Sequence, residues 1–172
     1  MKKVLLVLVF SLVFSSCVSH NYLAGSYSSK QYVESKKTYD EVWNNVIDFF
    51  SLSGIPIQTI DKASGIIVAD NVSFIDSYTR EKDGVPIDKS AFVVISTVKD
   101  SFGHIYEPST SKQKFWDISG SFSVRVKNDG VTKIYVNVNN LRCVFDPGKL
   151  NLIIPIKSTG VFEKELINSI KE

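Results

Sequence analysis

From Ile118 to Val126 the chain alternates without interruption. Ile118, Gly120, Phe122, Val124 and Val126 fall on one side, and Ser119, Ser121, Ser123, Arg125 and then Lys127 on the other. A period of two predicts a strand with one buried and one wet face. Asn128-Asp129-Gly130 has the composition of a tight turn. After it, Ile134, Val136 and Val138 alternate with Lys133, Tyr135 and Asn137, which predicts the second arm of a hairpin. Past Asn139-Asn140 the apolar phase moves to Leu141, Cys143 and Phe145, the mark of a bulge.

Two stretches carry the helical period instead. In TYDEVWNNVIDFFSLSG, Thr38 and Glu41 have capping-box spacing, Val42, Trp43, Val46, Ile47, Phe49 and Phe50 form an apolar stripe, and Gly54 is a stop. This predicts a helix from Tyr39 to Leu52, with Asp40 and Glu41 at the end where the helix dipole favours negative charge. Near the C-terminus, Phe162, Leu166, Ile167 and Ile170 predict a second helix from Gly160 to Ile170, with Ser158 and Thr159 as caps.

Between the first helix and the long hairpin, IQTIDKASGIIVADN reads as a β-hairpin turning at Asp61 to Gly65. Further strands are expected at Lys30 to Ser35, Ser73 to Arg80 and Ser90 to Val98, with EKDGVPID as a loop. The fold expectation is α+β: an antiparallel sheet of about five to seven strands, with two amphipathic helices packed on one face so that every apolar stripe is buried.

The first residues follow another pattern. Lys2 and Lys3 precede an apolar run from Val4 to Phe14 that only Ser11 breaks, and Ser15-Ser16 lead into Cys17. The run is about eleven residues, short of the roughly 20 that span a bilayer, so it reads as a secretory leader rather than a resident helix. The sequence FSSC resembles the bacterial lipobox, although Phe14 is bulkier than the Leu or Val usual there. That resemblance implies cleavage before Cys17 and acylation of its thiol. A soluble secreted protein in which Cys17 is incidental is the other reading.

The expected organisation is therefore a leader at 1–16, a tether at 17–29 and one domain at 30–172. Val18 and Ser19 follow Cys17 with no Asp beside it, which by analogy with lipoprotein sorting fits an outer membrane and a domain facing the periplasm. Only one other cysteine exists, Cys143 in the apolar stretch LRCVF. An exported domain that relied on disulfides would show several pairs, so Cys143 is expected to be a small buried hydrophobe.

Two stretches resemble BamC-like envelope lipoproteins: TYDEVWNNVIDFFSLSGIPIQTIDKASGIIVAD and the final KSTGVFEKELINSIKE. The shared residues are Trp43, Gly54, Ile55, Asp61, Lys62, Gly65 and Ile66. The resemblance implies a helix-grip-like α+β domain. It covers the helix and hairpin, while Ser73 to Trp116 has no counterpart, and the shared residues are structural ones.

Composition narrows the chemistry. The chain has 20 Lys and Arg against 18 Asp and Glu. Removal of 1–16 takes away Lys2 and Lys3 and no acid, leaving a nearly neutral mature chain with no reason to expect nucleic acid as a partner. His20 and His104 stand apart from each other and from Cys143, a poor basis for zinc. Neither a GxSxG elbow nor the phosphate-cradling GxGxxG and GxxxxGK[ST] occurs. Asp61, Asp70, Asp76, Asp83 and Asp88 lack EF-hand spacing and are expected to be turn formers.

Phe102, Tyr106, Phe115 and Trp116 lie in a segment rich in Gly, Pro and Ser. They are candidate partner-binding aromatics, with a lid or core role as the other reading. No catalytic residue, metal site or cofactor is expected. The functional expectation is a lipid-anchored, non-enzymatic envelope protein serving as a protein-interaction or envelope-assembly module. Its partners would be the membrane, through the lipidated N-terminus, and another envelope protein. The alternative is a carrier or sensor of an apolar ligand in a helix-grip groove, an idea the 11 Phe and 7 Tyr encourage.

Overall fold

The structure, a computed structural model, describes residues 19–27, 32–108, 115–148 and 151–171. The strands are β1 (Ser19–His20), β2 (Val33–Ser35), β3 (Ile57–Asp61), β4 (Ile66–Ser73), β5 (Tyr78–Lys82), β6 (Val85–Pro86), β7 (Val93–Ile95), β8 (Val98–Lys99), β9 (Ile105–Tyr106), β10 (Trp116–Asn128), β11 (Thr132–Phe145), β12 (Leu152–Ile153) and β13 (Ile156–Ser158). The helices are α1 (Tyr39–Ser53) and α2 (Val161–Lys171).

The fold is α+β and mainly antiparallel, as the patterning predicts, but its strands divide into three sheets rather than one. A six-stranded sheet has the order β12-β11-β10-β4-β3, with β2 also paired to β11. A four-stranded sheet runs β13-β7-β5-β6, and a three-stranded one runs β1-β8-β9. The division follows from the length of the apolar segments. Those between Phe74 and Tyr106 are two to five residues long and end in turns, too short to extend the long β10–β11 hairpin. One pair, β5 with β7, is parallel.

Helix α1 forms where its caps place it. Thr38 Oγ1 accepts the Glu41 N–H, the Glu41 carboxylate accepts the Thr38 N–H at 2.7 Å, and Gly54 ends the helix in a left-handed conformation. Its Phe50 ring stacks on Phe122 of β10 at 5.5 Å. Phe162 of α2 meets the same Phe122 at 4.9 Å, so both helices cover one sheet residue from the same side. Asn45 of α1 donates to the Ile170 carbonyl at 2.8 Å and ties the helices together.

Phe162 also touches Phe74 and, just before β7, Phe92. One ring thus joins the six-stranded sheet to the four-stranded one. The β3–β4 hairpin is fastened back onto α1: Tyr39 stacks on Trp43 and donates to the Lys62 carbonyl at 2.6 Å, and Lys62 pairs with Asp40 at 2.8 Å. Gly65 closes the hairpin at φ 70°. A side chain there would run into the Val126 carbonyl oxygen, so the turn needs both the torsion and the space.

Three expected segments differ. The strand expected from Ser90 to Val98 is divided into β7 and β8, which lie in different sheets. The loop EKDGVPID is a tight hairpin between β5 and β6, with Asp83 at φ 53° and Gly84 at φ 80°. Asp-Gly with both residues left-handed is the two-residue turn that matches strand twist. The strand expected from Ser73 to Arg80 is broken by a turn in which the Ser77 N–H donates to the Phe74 carbonyl at 3.0 Å.

Candidate functional site

The N-terminal segment is the first feature with functional geometry, and it differs from a free tether. Residues 19–27 lie against the domain. Ser19 and His20 pair with Lys99 and Val98 of β8, and the Ser96 hydroxyl donates to the Asn21 carbonyl. Glu81 then gathers the chain: its carboxylate accepts the N–H groups of Ala24 at 2.8 Å and Gly25 at 2.7 Å, and the Tyr27 hydroxyl. Lys157 donates to the carbonyls of Leu23 and Gly25.

Electrostatics follow from these contacts. Partial burial raises the Glu81 carboxyl, but the bonds from Tyr27, Gly25 and Ala24 and the Lys157 charge outweigh it and hold the pKa below the ordinary 4.5. Burial, then the bond to Glu81 and its charge, push the Tyr27 hydroxyl up to about 12. A cleft of about 430 Å³ lies between this segment and the β5–β6 turn, lined by Asn21, Tyr22, Glu81, Asp83 and Thr97 among others.

The four candidate aromatics are not brought together on the surface. Tyr106 meets the Phe145 ring in a tilted contact at 5.1 Å and Trp116 stacks on the same ring at 4.5 Å; Trp116 belongs to the core and Tyr106 is partly buried against it. Trp116 is 7 % exposed, and its indole N–H meets no acceptor among the described residues. Phe115 is partly buried against the core. Phe102 alone of the four projects outward, 81 % exposed at the turn between β8 and β9. Cys17 lies outside the described residues.

The turn that carries Phe102 is built around Asp100. Its carboxylate accepts the N–H groups of Phe102 and His104, each at 2.9 Å, and approaches His104 Nδ1 at 2.9 Å. The Gly103 N–H donates to the Asp100 carbonyl and the Asp100 N–H to the His104 carbonyl, both at 3.1 Å. Although burial opposes ionisation, the His104 ring and the two N–H groups hold the Asp100 carboxyl below its ordinary value. The ring of Phe102 is therefore displayed by an ordered turn rather than by a slack loop.

A polar recess on the six-stranded sheet was not legible beforehand. Strand β4 carries an extra residue at Asn71 opposite Ser121, and strand β11 one at Asn140 opposite the neighbouring Gly120; both are left-handed, at φ 53° and 49°. The two bulges flank one point of β10. There the Ser121 hydroxyl donates to Asp70, while Asn140 donates to Ser121 at 3.4 Å and Gln58 to Asp70 at 3.3 Å. The bond from Ser121, and then the Asn71 N–H, lower the Asp70 pKa. Asp70, Asn71, Ser121 and Asn140, with Arg142 alongside, line a recess of about 300 Å³. The alternation forecast the Asn140 bulge, but no pattern in the chain marks its partner at Asn71.

No protein-family model matches the chain, and no curated protein matches it either. Among the described residues no three His, Cys, Asp or Glu side chains gather as metal ligands, and no helix is long and apolar enough to cross a membrane. Asp83 and Asp88 sit in turns, where Asp88 accepts the Ser90 N–H, and Asp61 ends β3 with its carboxylate accepting the Ala63 N–H of the turn that follows. His104 is held by Asp100, and Cys143 is fully buried, its thiol pushed up to about 12 by burial and then by the Asp117 charge.

Proposed function

We propose that this chain is a lipid-anchored, non-enzymatic protein of the bacterial envelope. It is held by Cys17 at the periplasmic face of the outer membrane and acts as a protein-interaction or envelope-assembly module. The observation that carries the reading is the N-terminal pattern: a Lys pair, an apolar run too short to span a bilayer, two serines and Cys17. Cys143 supports it by being sealed in the core, which leaves Cys17 without a disulfide partner within the chain. The α1–β3–β4 unit, with Trp43 buried and Gly65 at the turn, is the part that resembles BamC-like lipoproteins.

The space where a helix-grip groove would open, between the helices and the sheet, holds the rings of Phe50, Phe122 and Phe162. This favours an interaction module over a carrier of an apolar ligand. Around the buried Ser121 the sheet presents the exposed side chains of Asp70, Asn71, Asn140 and Arg142, hydrogen-bonding groups that a protein partner can meet. Mass spectrometry of the mature protein from membranes is expected to find residue 17 as the N-terminus, carrying a diacylglyceryl thioether, and the Cys17→Ser protein is expected to leave the membrane fraction. An unmodified Cys17 would overturn the anchor. Cross-linking in intact cells that captures no reproducible envelope protein would overturn the module.

A further inference from the structure

The course of β1 fixes where an anchor at Cys17 would hold the domain. Strand β1 runs antiparallel to β8, with Ser19 opposite Lys99 and His20 opposite Val98. Its N-terminal end, Ser19, therefore lies at the end of the three-stranded sheet that carries the 100–104 turn. Only Val18 separates Cys17 from Ser19, so the two lie two residue steps apart, a reach of at most about 7 Å. Whatever surface holds Cys17 is then close to the turn that displays Phe102.

That turn has the chemistry of a membrane interface. Phe102 is displayed at its tip by the Asp100 hydrogen bonds, and Ile105, directly opposite Lys99, is also exposed. Ser19, Lys99 and Ile105 are successive partners across the three strands and so share one face. The Asp100 carboxylate is almost wholly enclosed by its own turn, at 11 % exposure, while the His104 side chain beside it is 77 % exposed. The tip thus offers an apolar ring with a lysine and a histidine around it, and its one acid is turned inward. Apolar side chains flanked by basic ones suit the boundary between acyl chains and anionic headgroups.

We infer that the β8–β9 tip is a second membrane contact, in which Phe102 enters the leaflet holding the Cys17 acyl chains while Lys99 and His104 lie at the level of the lipid phosphates. This rests on the lipid attachment proposed above. The acyl chains already supply the affinity, so the tip sets orientation: two contacts at one end of the sheet hold the long β10–β11 hairpin away from the bilayer. Its far turn, where Val131 is exposed, lies about 40 Å from Trp116 along β10 at roughly 3.3 Å per residue.

The test places an indole at each end of the lipidated, full mature protein. Phe102→Trp and Val131→Trp proteins are reconstituted in phosphatidylethanolamine–phosphatidylglycerol vesicles with or without brominated acyl chains, and each is read against the unsubstituted protein. Bromination is expected to quench the added emission at position 102 at least twofold and to leave that at 131 unchanged. Mass spectrometry of the same samples reports Cys17. If the lipid is absent, the anchor reading fails and this inference fails with it. If the lipid is present, equal quenching at both positions, or none at 102, overturns the membrane contact alone. An indole at 102 that is shielded from aqueous iodide yet unquenched by bromine also overturns it, in favour of a protein on the tip.

Discussion

The two cysteines show how position decides chemistry. Cys143 has a thiol pushed up to about 12, so at neutral pH it is protonated and sealed among Ile118, Ile154 and other buried side chains. A thiol reagent at pH 8 is therefore expected to modify nothing in the folded Cys17→Ser protein, and one group per chain after urea unfolding. Gly65 is a second residue fixed by its surroundings. Gly65→Ala places a Cβ against the Val126 carbonyl in a backbone conformation unfavourable to it. The expected loss is about 1–3 kcal/mol of stability, measurable by urea titration.

Among the elements, the docked segment of residues 19–27 has a pH window set by its own contacts. Glu81 has a folded pKa below the ordinary value of 4.5, so its contribution is full above that value and is lost as pH falls through the folded one. Tyr27 contributes in the opposite sense: its raised pKa means that stabilisation present below 10.0 is lost as pH rises through about 12. Amide exchange is expected to show Ala24 and Gly25 losing protection below about pH 4.5 while β10 keeps its own. Glu81→Gln should produce the same local release at neutral pH.

The same segment marks where sequence patterning ended. Helix α1, the β3–β4 turn and the Asn140 bulge were legible because caps, period and turn residues are neighbours in sequence. The docking was not, because its partners are remote: Tyr27 meets Glu81 54 positions away and Leu23 meets Lys157 134 positions away. The division of the candidate aromatics has a similar cause. Tyr106 and Trp116 are drawn inward by Phe145, a ring from another strand, while Phe102 stays at a turn tip. The β5–β6 hairpin was within reach of the pattern, since Asp83-Gly84 is its ordinary signal, but its arms are too short to show alternation.

At the scale of the molecule, cohesion passes through Phe162, the ring shared by Phe122, Phe74 and Phe92. Phe162→Ala is expected to cost about 3–5 kcal/mol and to let the amides of β7 exchange ahead of those of β10, since the joint between the two sheets is lost. Native-state hydrogen exchange would show this as separate protection for the two sheets, and an unchanged common protection would contradict it. The docked N-terminus also limits how far the protein can act. A domain of this length has a radius of gyration of about 15 Å. With at most about 7 Å of chain before Ser19, a lipid-held molecule touches nothing beyond roughly 45 Å from the leaflet. If the proposed anchor at Cys17 holds, a partner would have to be embedded in the bilayer or delivered to it, because so short a leash would not let the protein go and find one.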